Sequence, residues 1–564
     1  MRKTLIGCHS MLKNVFFATL FAAAQAVAQE AIADVNQEIA YCKHDHQSSR
    51  DQNFIPSLNG IMLIAPGEKM SYCDGIAEKG LGLTKSDMKT ISSYLSPYLN
   101  KAVTLSTLQE IKRSVVMAYR AIGRPLIVVQ TPAQDVTNGR IAILVAESKV
   151  GDIAVHGNKH TKTSRIDKTV RLHKGERINA DTLVSDLAWL NLNPFRRVDA
   201  VYRPGKQLKT TDIDRIVEDR FPASVFVGTD NTGLYQEGYE TFYAGVNWGN
   251  VFGLDHLFSY QYTSSIDFHK LQAHSFNYIA PLSWRHIFTV FGTYSYIHIP
   301  ILSANFKSNG TFLQTSGRYA IPLHSHRDFL QEVRAGIDFK RTNNTVEFGG
   351  ELITNHFVNL LQFVLGYKLT YDKGTYKTYF DVEGFYSPAR LLSNMAASLY
   401  GTLHPGAHAE YFYGRATLEH QHQLPRCWWA VFKLRGQGAT TNLLPSEQMG
   451  LGGYSTVRGY KERQINVDDA FLANFEIRSP CIGSACSPWG SLVFLGFIDY
   501  AIGCEHKKLP HEKNAYNFLG LGPGIRYSYK TNVFLRGDMA LRCIREPHDR
   551  HEWIRFHFGA TANY

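Results

Sequence analysis

The chain has 564 residues, more than one ordinary domain holds. Charged residues are 19% and aromatic residues 12%, with 45 Gly and 30 Tyr, a composition that suits a membrane β-barrel with aromatic girdles, although a large soluble enzyme could share it. The net charge of +11 is spread along the chain without a Lys/Arg block, which argues against nucleic acid as a partner.

Residues 1–28 read as a secretory signal peptide. Arg2, Lys3 and Lys13 give the positive start, Val15 to Ala24 the apolar core, and Ala26-Val27-Ala28 the cleavage site. Leu5-Ile6-Gly7-Cys8 has the letters of a lipoprotein box, but no apolar run precedes it, so lipidation is not expected. Beyond the signal, no uninterrupted apolar run is long enough for a spanning helix; an exported chain of this kind can still cross a membrane as a closed barrel. Residues 29–75 are polar and irregular, an N-terminal helix (near Glu30 to Tyr41) followed by a linker. Cys42-Lys43-His44-Asp45-His46 contains metal-ligating residue types, but reads as an exposed segment; no metal and no other cofactor is expected.

From residue 76 the pattern becomes regular. Ser86-Asp87 caps a helix running toward Tyr98, and Leu108, Ile111, Val115, Tyr119 and Ile122 form the apolar stripe of a second helix that Gly123 stops. Leu126 to Val129 and Arg140 to Val145 read as strands, split by the turn-rich Gln134-Asp135-Val136-Thr137-Asn138-Gly139. A second unit follows: a strand from Val150 to Val155, a turn at Gly157-Asn158, a helix from Asp181 to Leu192, and strands at Val198 to Tyr202 and Asp212 to Glu218. The two α+β units are assigned to residues 76–147 and 148–221.

Residues 222–564 alternate apolar and polar, and about sixteen antiparallel strands can be placed. Short turns fall on one side: Val251 to Asp255, Leu282 to Arg285, His324 to Asp328, Asp372 to Thr375, Pro425-Arg426 and Lys530 to Asn532. Longer loops fall on the other; Pro480 to Gly490 is a long exception on the short-turn side. An even strand count puts both barrel ends on the side of the small units. In the last strand Ile554, Phe556, Phe558, Ala560, Ala562 and Tyr564 share one face, and the chain ends on an aromatic residue.

The longest loop, Leu443 to Asp468, carries Val457-Arg458-Gly459-Tyr460, and Gly496-Phe497-Ile498-Asp499 lies on the strand after next. In the front half, Pro132-Ala133-Gln134-Asp135 with Gly139 and Ala146-Glu147-Ser148 would close one small domain. Ile153-Ala154-Val155-His156-Gly157-Asn158 would open the next, and Leu190 to Phe195 with Arg197-Val198 would form its middle. Together these resemble the two-partner secretion transporters, the TpsB proteins of the ShlB/FhaC/HecB haemolysin secretion/activation type, within the superfamily of POTRA domains followed by a barrel. Ser148 and Ala501 stand where that family usually has glycine.

The resemblance implies a transmembrane all-β barrel behind two POTRA domains. It implies that Arg458 reaches into the lumen and pairs with Asp499, beside Gly496 and Phe497. The POTRA region of Gln134, Asp135, Gly139, Gly157 and Asn158 would bind a client by strand addition to an exposed sheet edge, unless these domains are only spacers. Implied partners are a secreted TpsA-type exoprotein, outer-membrane lipid and lipopolysaccharide, and the outer-membrane assembly machinery, with a monomeric transporter. The alternatives are a factor that inserts other barrels, or a small-molecule porin or receptor.

Other motifs carry no chemistry here. Gly520-Leu521-Gly522-Pro523-Gly524 looks like a phosphate loop but has no following helix. Arg536-Gly537-Asp538 lies mid-strand. The 23 histidines are scattered, and no nucleophile elbow is present, so no catalytic residue is assigned. Cys481 and Cys486 are close enough to staple one turn, Cys42 and Cys73 could close the N-terminal segment, and an odd count leaves one thiol over.

Overall fold

The computed structural model describes residues 55–207, 210–234, 238–301, 306–323, 329–348, 351–483, 489–507, 513, 515–544 and 552–564. The signal segment, the helical stretch near Glu30 to Tyr41, the Cys42–His46 motif, the turn at His324 to Asp328 and Cys486 lie outside them. Contacts divide the chain after Arg220 into two compact units.

The unit ending at Arg220 contains strands β1 (Gly60–Ile64), β2 (Gly75–Lys79), β3 (Ile127–Gln130), β4 (Arg140–Glu147), β5 (Lys149–His156), β6 (Arg196–Pro204) and β7 (Thr210–Asp219). Its helices are α1 (Lys85–Leu95), α2 (Leu105–Ala121), α3 (Thr163–Thr169) and α4 (Ala180–Leu190). Two sheets form, in the orders β2-β1-β4-β3 and β5-β7-β6. The first extends further back than the linker reading of residues 29–75 allows. Strand β1 sits at its centre, parallel to both β2 and β4, and all its residues are buried. A strand covered on both faces shows a continuous apolar run instead of alternation, so no period-2 signal marks it.

Helix α1 is capped by Thr84, whose hydroxyl accepts from the Asp87 amide while the Asp87 carboxylate accepts from the Thr84 amide, so the capping residue lies two positions before Ser86. The stripe of α2 packs Ile111, Val115 and Tyr119 onto Ile61, Leu63, Ile141 and Ile143. The second sheet packs against α3 and α4 through Ile166, Leu183, Leu190, Val198 and Val217. Helix α3 has no counterpart in the sequence reading, being a short, polar-flanked segment with only Ile166 buried.

The following unit is a closed antiparallel barrel of 16 strands. They are β8 (Ala223–Asp230), β9 (Thr241–Val251), β10 (His256–Ser265), β11 (Leu271–Pro281), β12 (Ile287–Ile301), β13 (Phe306–Pro322), β14 (Phe329–Phe348), β15 (Glu351–Asp372), β16 (Tyr376–Ser387), β17 (Tyr411–Leu424), β18 (Trp428–Ala439), and then, beyond a hairpin of β19 (Met449–Leu451) with β20 (Ile465–Val467), β21 (Asp469–Arg478). After the short β22 (Ile482–Gly483) come β23 (Ser491–Cys504), β24 (Tyr516–Tyr529), β25 (Val533–Arg542) and β26 (Ile554–Asn563). Closure comes from β26 pairing with β8 over Phe226 to Asp230. A closed sheet has no edge and satisfies its own backbone, which a lipid environment demands.

Alternation sorts side chains to two faces. Outside, Phe276, Phe288, Phe363, Leu365, Phe412, Phe494, Ile498 and Phe556 are exposed. Near the short turns stand Trp248, Phe252, Trp284, Trp428, Trp489 and Tyr564, an interfacial aromatic belt. Inside, the wall is polar: Arg318 pairs with Asp338 at 2.7 Å, and Arg334 with Asp381 and, at 3.6 Å, Glu383. Strands β14 and β15, of 20 and 22 residues, exceed the roughly ten residues a bilayer needs, so they stand out beyond the membrane. Among the described residues no helix is long and apolar enough to cross a membrane.

Cys73, Cys427, Cys481, Cys504 and Cys543 are free thiols.

Leu63, wholly buried in β1, makes the placement of that strand testable. Leu63→Ala should destabilise a soluble fragment spanning 55–220 by about 2–5 kcal/mol in urea denaturation, the usual cost of a buried truncation. A change below about 0.5 kcal/mol would return the segment to the linker.

Candidate functional site

Residues 440–468 connect β18 to β21 and do not form a solvated loop. The β19–β20 hairpin folds back inside the wall, and its tip packs Val457 and Tyr460 with Leu472, Ala501 and Phe518. Two buried carboxylates hold its ends. Glu447 pairs with Lys340 of β14 at 2.5 Å and accepts from the Tyr413 hydroxyl of β17 at 2.6 Å. Asp468 accepts from the amide of Leu443 at 2.8 Å and from Gln448 Nε2 at 3.1 Å.

At the tip, Arg458 is 4% exposed. Its Nε and Nη2 donate to the two oxygens of Asp499 at 2.7 and 2.9 Å, and its own amide donates to Asp499 at 3.1 Å. Nη1 lies 2.8 Å from Glu476 and 3.4 Å from Asp538. The guanidinium carbon stands 3.5 Å from the Phe497 ring centroid. Asn474 steadies the acceptor by donating to Asp499 at 2.8 Å and to the Thr456 carbonyl at 2.6 Å. A planar fork matched to a carboxylate, with a ring beneath it, uses what distinguishes arginine from lysine.

The flanking residues have separate tasks. Gly459 adopts φ +97°, a region that favours glycine, and its amide donates to His557 Nε2 at 3.1 Å. The Tyr460 hydroxyl donates to the carbonyl of Ile544 at 2.6 Å and accepts from the Leu519 amide at 3.1 Å, while Arg542 lies over its ring. Ala501 is fully buried in the same cluster, so the methyl that departs from the family glycine fills space against the loop.

On β23 the odd positions Leu495, Phe497 and Asp499 face inward, whereas Gly496 is exposed on the other face with Phe494 and Ile498. The sequence reading set Gly496 beside the arginine; the pleat puts it on the opposite side of the wall.

Other contributors were set aside in the sequence. Gly520, within the rejected phosphate-loop lookalike, lies where a Cβ would come 1.9 Å from the Arg458 carbonyl oxygen. Its missing side chain lets the loop touch the wall. Asp538, part of the dismissed Arg536-Gly537-Asp538, binds Arg526 at 3.0 Å and faces Arg458. Glu476 and His557 had no motif. Their only sequence signal is a polar residue on an inward parity position.

The front-half residues behave differently. The side chain of Gln134 brackets the backbone of Ala142, accepting from its amide at 2.6 Å and donating to its carbonyl at 2.7 Å. Asp135 accepts from the Thr137 amide and hydroxyl, which hold its carboxyl below the usual range. Gly139 and Gly157 have φ of +68° and +88°. Asn158 donates to the Thr161 carbonyl at 2.7 Å and Thr163 Oγ at 3.1 Å. Gln134 thus ties its segment to β4, and the other four residues build turns. Ser148 hydrogen-bonds Thr211 across the start of the second sheet at 2.7 Å. The edges are β2 and β3 in the first sheet and β5 and β6 in the second, and Val128 of β3 and Val201 of β6 are exposed.

Residues 210–526 match the family described as haemolysin secretion/activation protein ShlB/FhaC/HecB. The chain is 26% identical over 478 residues to the heme/hemopexin transporter protein HuxB of Haemophilus influenzae strain 86-028NP, covering 78% of this chain and 79% of that one. Among solved structures, CdiB from Escherichia coli superposes with a TM-score of 0.73 at 14% identity, over 97% of this chain and 98% of its own. BamA from Haemophilus ducreyi lacking POTRA domains 1–3 gives 0.50 at 13% identity, over 86% and 98%. At these identities the structural likenesses speak to the fold.

Two variants separate charge from space at the loop tip. Arg458→Ala leaves Asp499 and Asp538 buried against a lost cation, at about 3–5 kcal/mol to the pinned loop. Gly520→Val changes no charge but collides with the Arg458 carbonyl. Both barrels should stay folded, with heat-modifiable mobility in gels. Both should show higher channel conductance and new protease cleavage within 440–468. Wild-type conductance and cleavage in both would mean that the loop is held elsewhere.

Proposed function

The chain belongs to the ShlB/FhaC/HecB family of two-partner secretion transporters, outer-membrane proteins with periplasmic POTRA domains, and from this we propose that it exports a TpsA-type exoprotein through its own barrel. That it is an outer-membrane translocator serving a secreted partner protein follows from the family, whose members are in general transporters and not enzymes. The route and the client class are the proposal. The observation that carries it is the arginine loop, folded into the lumen and fastened to the wall carboxylate Asp499.

The geometry supports the following sequence of events. An unfolded client adds a strand to an exposed edge such as β3 or β6, where backbone hydrogen bonds give sequence-tolerant affinity. It then threads the barrel in extended form along the polar wall, which requires the loop to shift. No nucleotide is at hand outside the inner membrane, so folding of the client at the cell surface supplies the direction. The likeness to HuxB favours a haem-acquisition exoprotein over an adhesin or haemolysin. The transporter is proposed to work as a monomer, seated among outer-membrane lipid and lipopolysaccharide after insertion by the assembly machinery. The exposed apolar residues of β26, Ile554, Phe556 and Phe558, support the seat in lipid.

Insertion of other barrels is the second reading, which a fold shared with BamA leaves open. Deleting the gene and examining the cell surface decides between them. Loss of one large exoprotein with normal levels of other barrels is expected; depletion of many barrels would favour the second reading. Arg458→Ala should remain in the outer membrane yet cut secretion of the client by at least about tenfold, since the loop loses an anchor of several kcal/mol. Deleting residues 55–147 should abolish client capture by the purified protein, and undiminished capture would make the first module a spacer.

A further inference from the structure

Three segments of the barrel unit meet where its long loops gather. One is residues 388–410, between β16 and β17, which carries helix α5 (Ala397–Leu403). It packs into the mouth instead of standing in solvent: Met395, Tyr400 and Ala407 cluster with wall residues Phe385, Tyr411 and Tyr413 and with Leu443 and Leu444 of the arginine loop. The Tyr400 hydroxyl donates to the Asn359 carbonyl at 2.7 Å. The second segment is the two feet of the arginine loop, Asn442 and Asp468. The third, Glu505 to Lys507, follows β23. Asn442 ties them together, donating to the carbonyls of Pro405 at 3.3 Å and Lys507 at 2.9 Å and accepting from the Lys507 amide at 2.6 Å.

At this junction His404, Asp468 and Glu505 converge, with one ligand atom from each within 4.8 Å of the others. His404 Nε2 lies 3.0 Å from Glu505 Oε2. The cluster is shielded, since His404 is 8% exposed and Asp468 fully buried. Asp468 is oriented by the amides of Leu443 and, at 3.0 Å, His506. The His506 imidazole is engaged with Asp469 at 3.1 Å. Two shielded carboxylates therefore lie close to one imidazole, an arrangement in which a bound cation offsets their mutual repulsion.

The donor set indicates which cation. Zinc sits about 2.0–2.2 Å from imidazole nitrogen and carboxylate oxygen, in tetrahedral sites often built from three protein ligands and a water. An imidazole in a three-ligand set disfavours calcium and magnesium, which take six or more oxygens. The ligand atoms stand within 4.8 Å of one another, and a bound ion would draw them closer together. Backbone amides holding a ligating carboxylate are the kind of outer support that tunes such sites.

We propose that His404, Asp468 and Glu505 form a binding site for a divalent transition-metal cation of the zinc class. The bound ion fastens segment 388–410 and the segment after β23 to the foot of the arginine loop, holding the outer mouth shut. No sequence motif announces it, because the ligands come from three distant segments. The site rests on the barrel alone and not on the export route.

Tag-free full-length protein in detergent, stripped with EDTA and dialysed, is titrated with ZnCl2 by calorimetry. One zinc per chain is expected, with protection of 388–410 from protease on binding. His404→Ala and Glu505→Gln should each weaken binding by more than about tenfold, the smaller loss seen when only an outer-shell partner of a metal is removed. Glu505→Gln keeps the shape of the side chain, so it decides the matter even if His404→Ala misfolds. CaCl2 and MgCl2 at equal concentration should neither bind with this stoichiometry nor protect. Absence of saturable zinc binding by the wild type, binding unaltered in the folded variants, or equal binding of calcium would each overturn the proposal.

Discussion

An arginine buried inside a barrel is tolerable only if its charge and every donor find partners, and Arg458 finds them on three different strands. Asp499 of β23 takes the fork, Glu476 of β21 and Asp538 of β25 take the third nitrogen, and the Phe497 ring lies beneath. Desolvating such a cluster consumes much of its Coulomb energy, so it adds little net stability. What it adds is specificity: the loop is fastened by groups on three strands at once, and removing one partner leaves the others uncompensated. The loop is thereby held in one place by a contact that is costly to break piecemeal. A contact of this type is suited to a plug that must hold firmly and still exchange for another set of partners.

The rest of the barrel serves that constraint. Glycines at Gly520 and Gly459 bring loop and wall within contact distance. The feet of the loop are fixed by Glu447 and Asp468, both buried and both bonded. The surface segment around α5 closes over the same feet through Leu443, Leu444 and Asn442. The loop tip, its base and the outer mouth are thus parts of one connected structure, and the proposed passage of a client would have to disturb all three. Outside, the lipid-facing side chains ask for nothing but alternation.

Much of this was legible before any coordinates. Alternation over residues 222–564 fixes a barrel, because a closed sheet with one apolar face is the form that satisfies backbone and lipid together. The pair Arg458 and Asp499 was expected through the family resemblance that its motifs carry, and parity along β23 alone would have turned Gly496 outward. Asp135 and Asn158 lie in segments that read as turns, and their side chains are spent on those turns, while that of Gln134 is spent on the backbone of β4. Strand β1 escaped notice because a strand buried on both sides carries no period, and its partners β2 and β4 are set by parallel pairing across long stretches of chain.

Local pattern and short motifs therefore determined the classes of structure: an exported chain, small mixed modules, a membrane barrel and a loop with a charged tip. Tertiary structure alone decided which carboxylates receive that charge, which glycines clear its path, and that His404, Asp468 and Glu505 meet at one point. The reason is geometric. Strand periodicity is a property of neighbouring residues, whereas contacts across a closed cylinder depend on register summed around the whole wall, and no stretch of sequence records that sum.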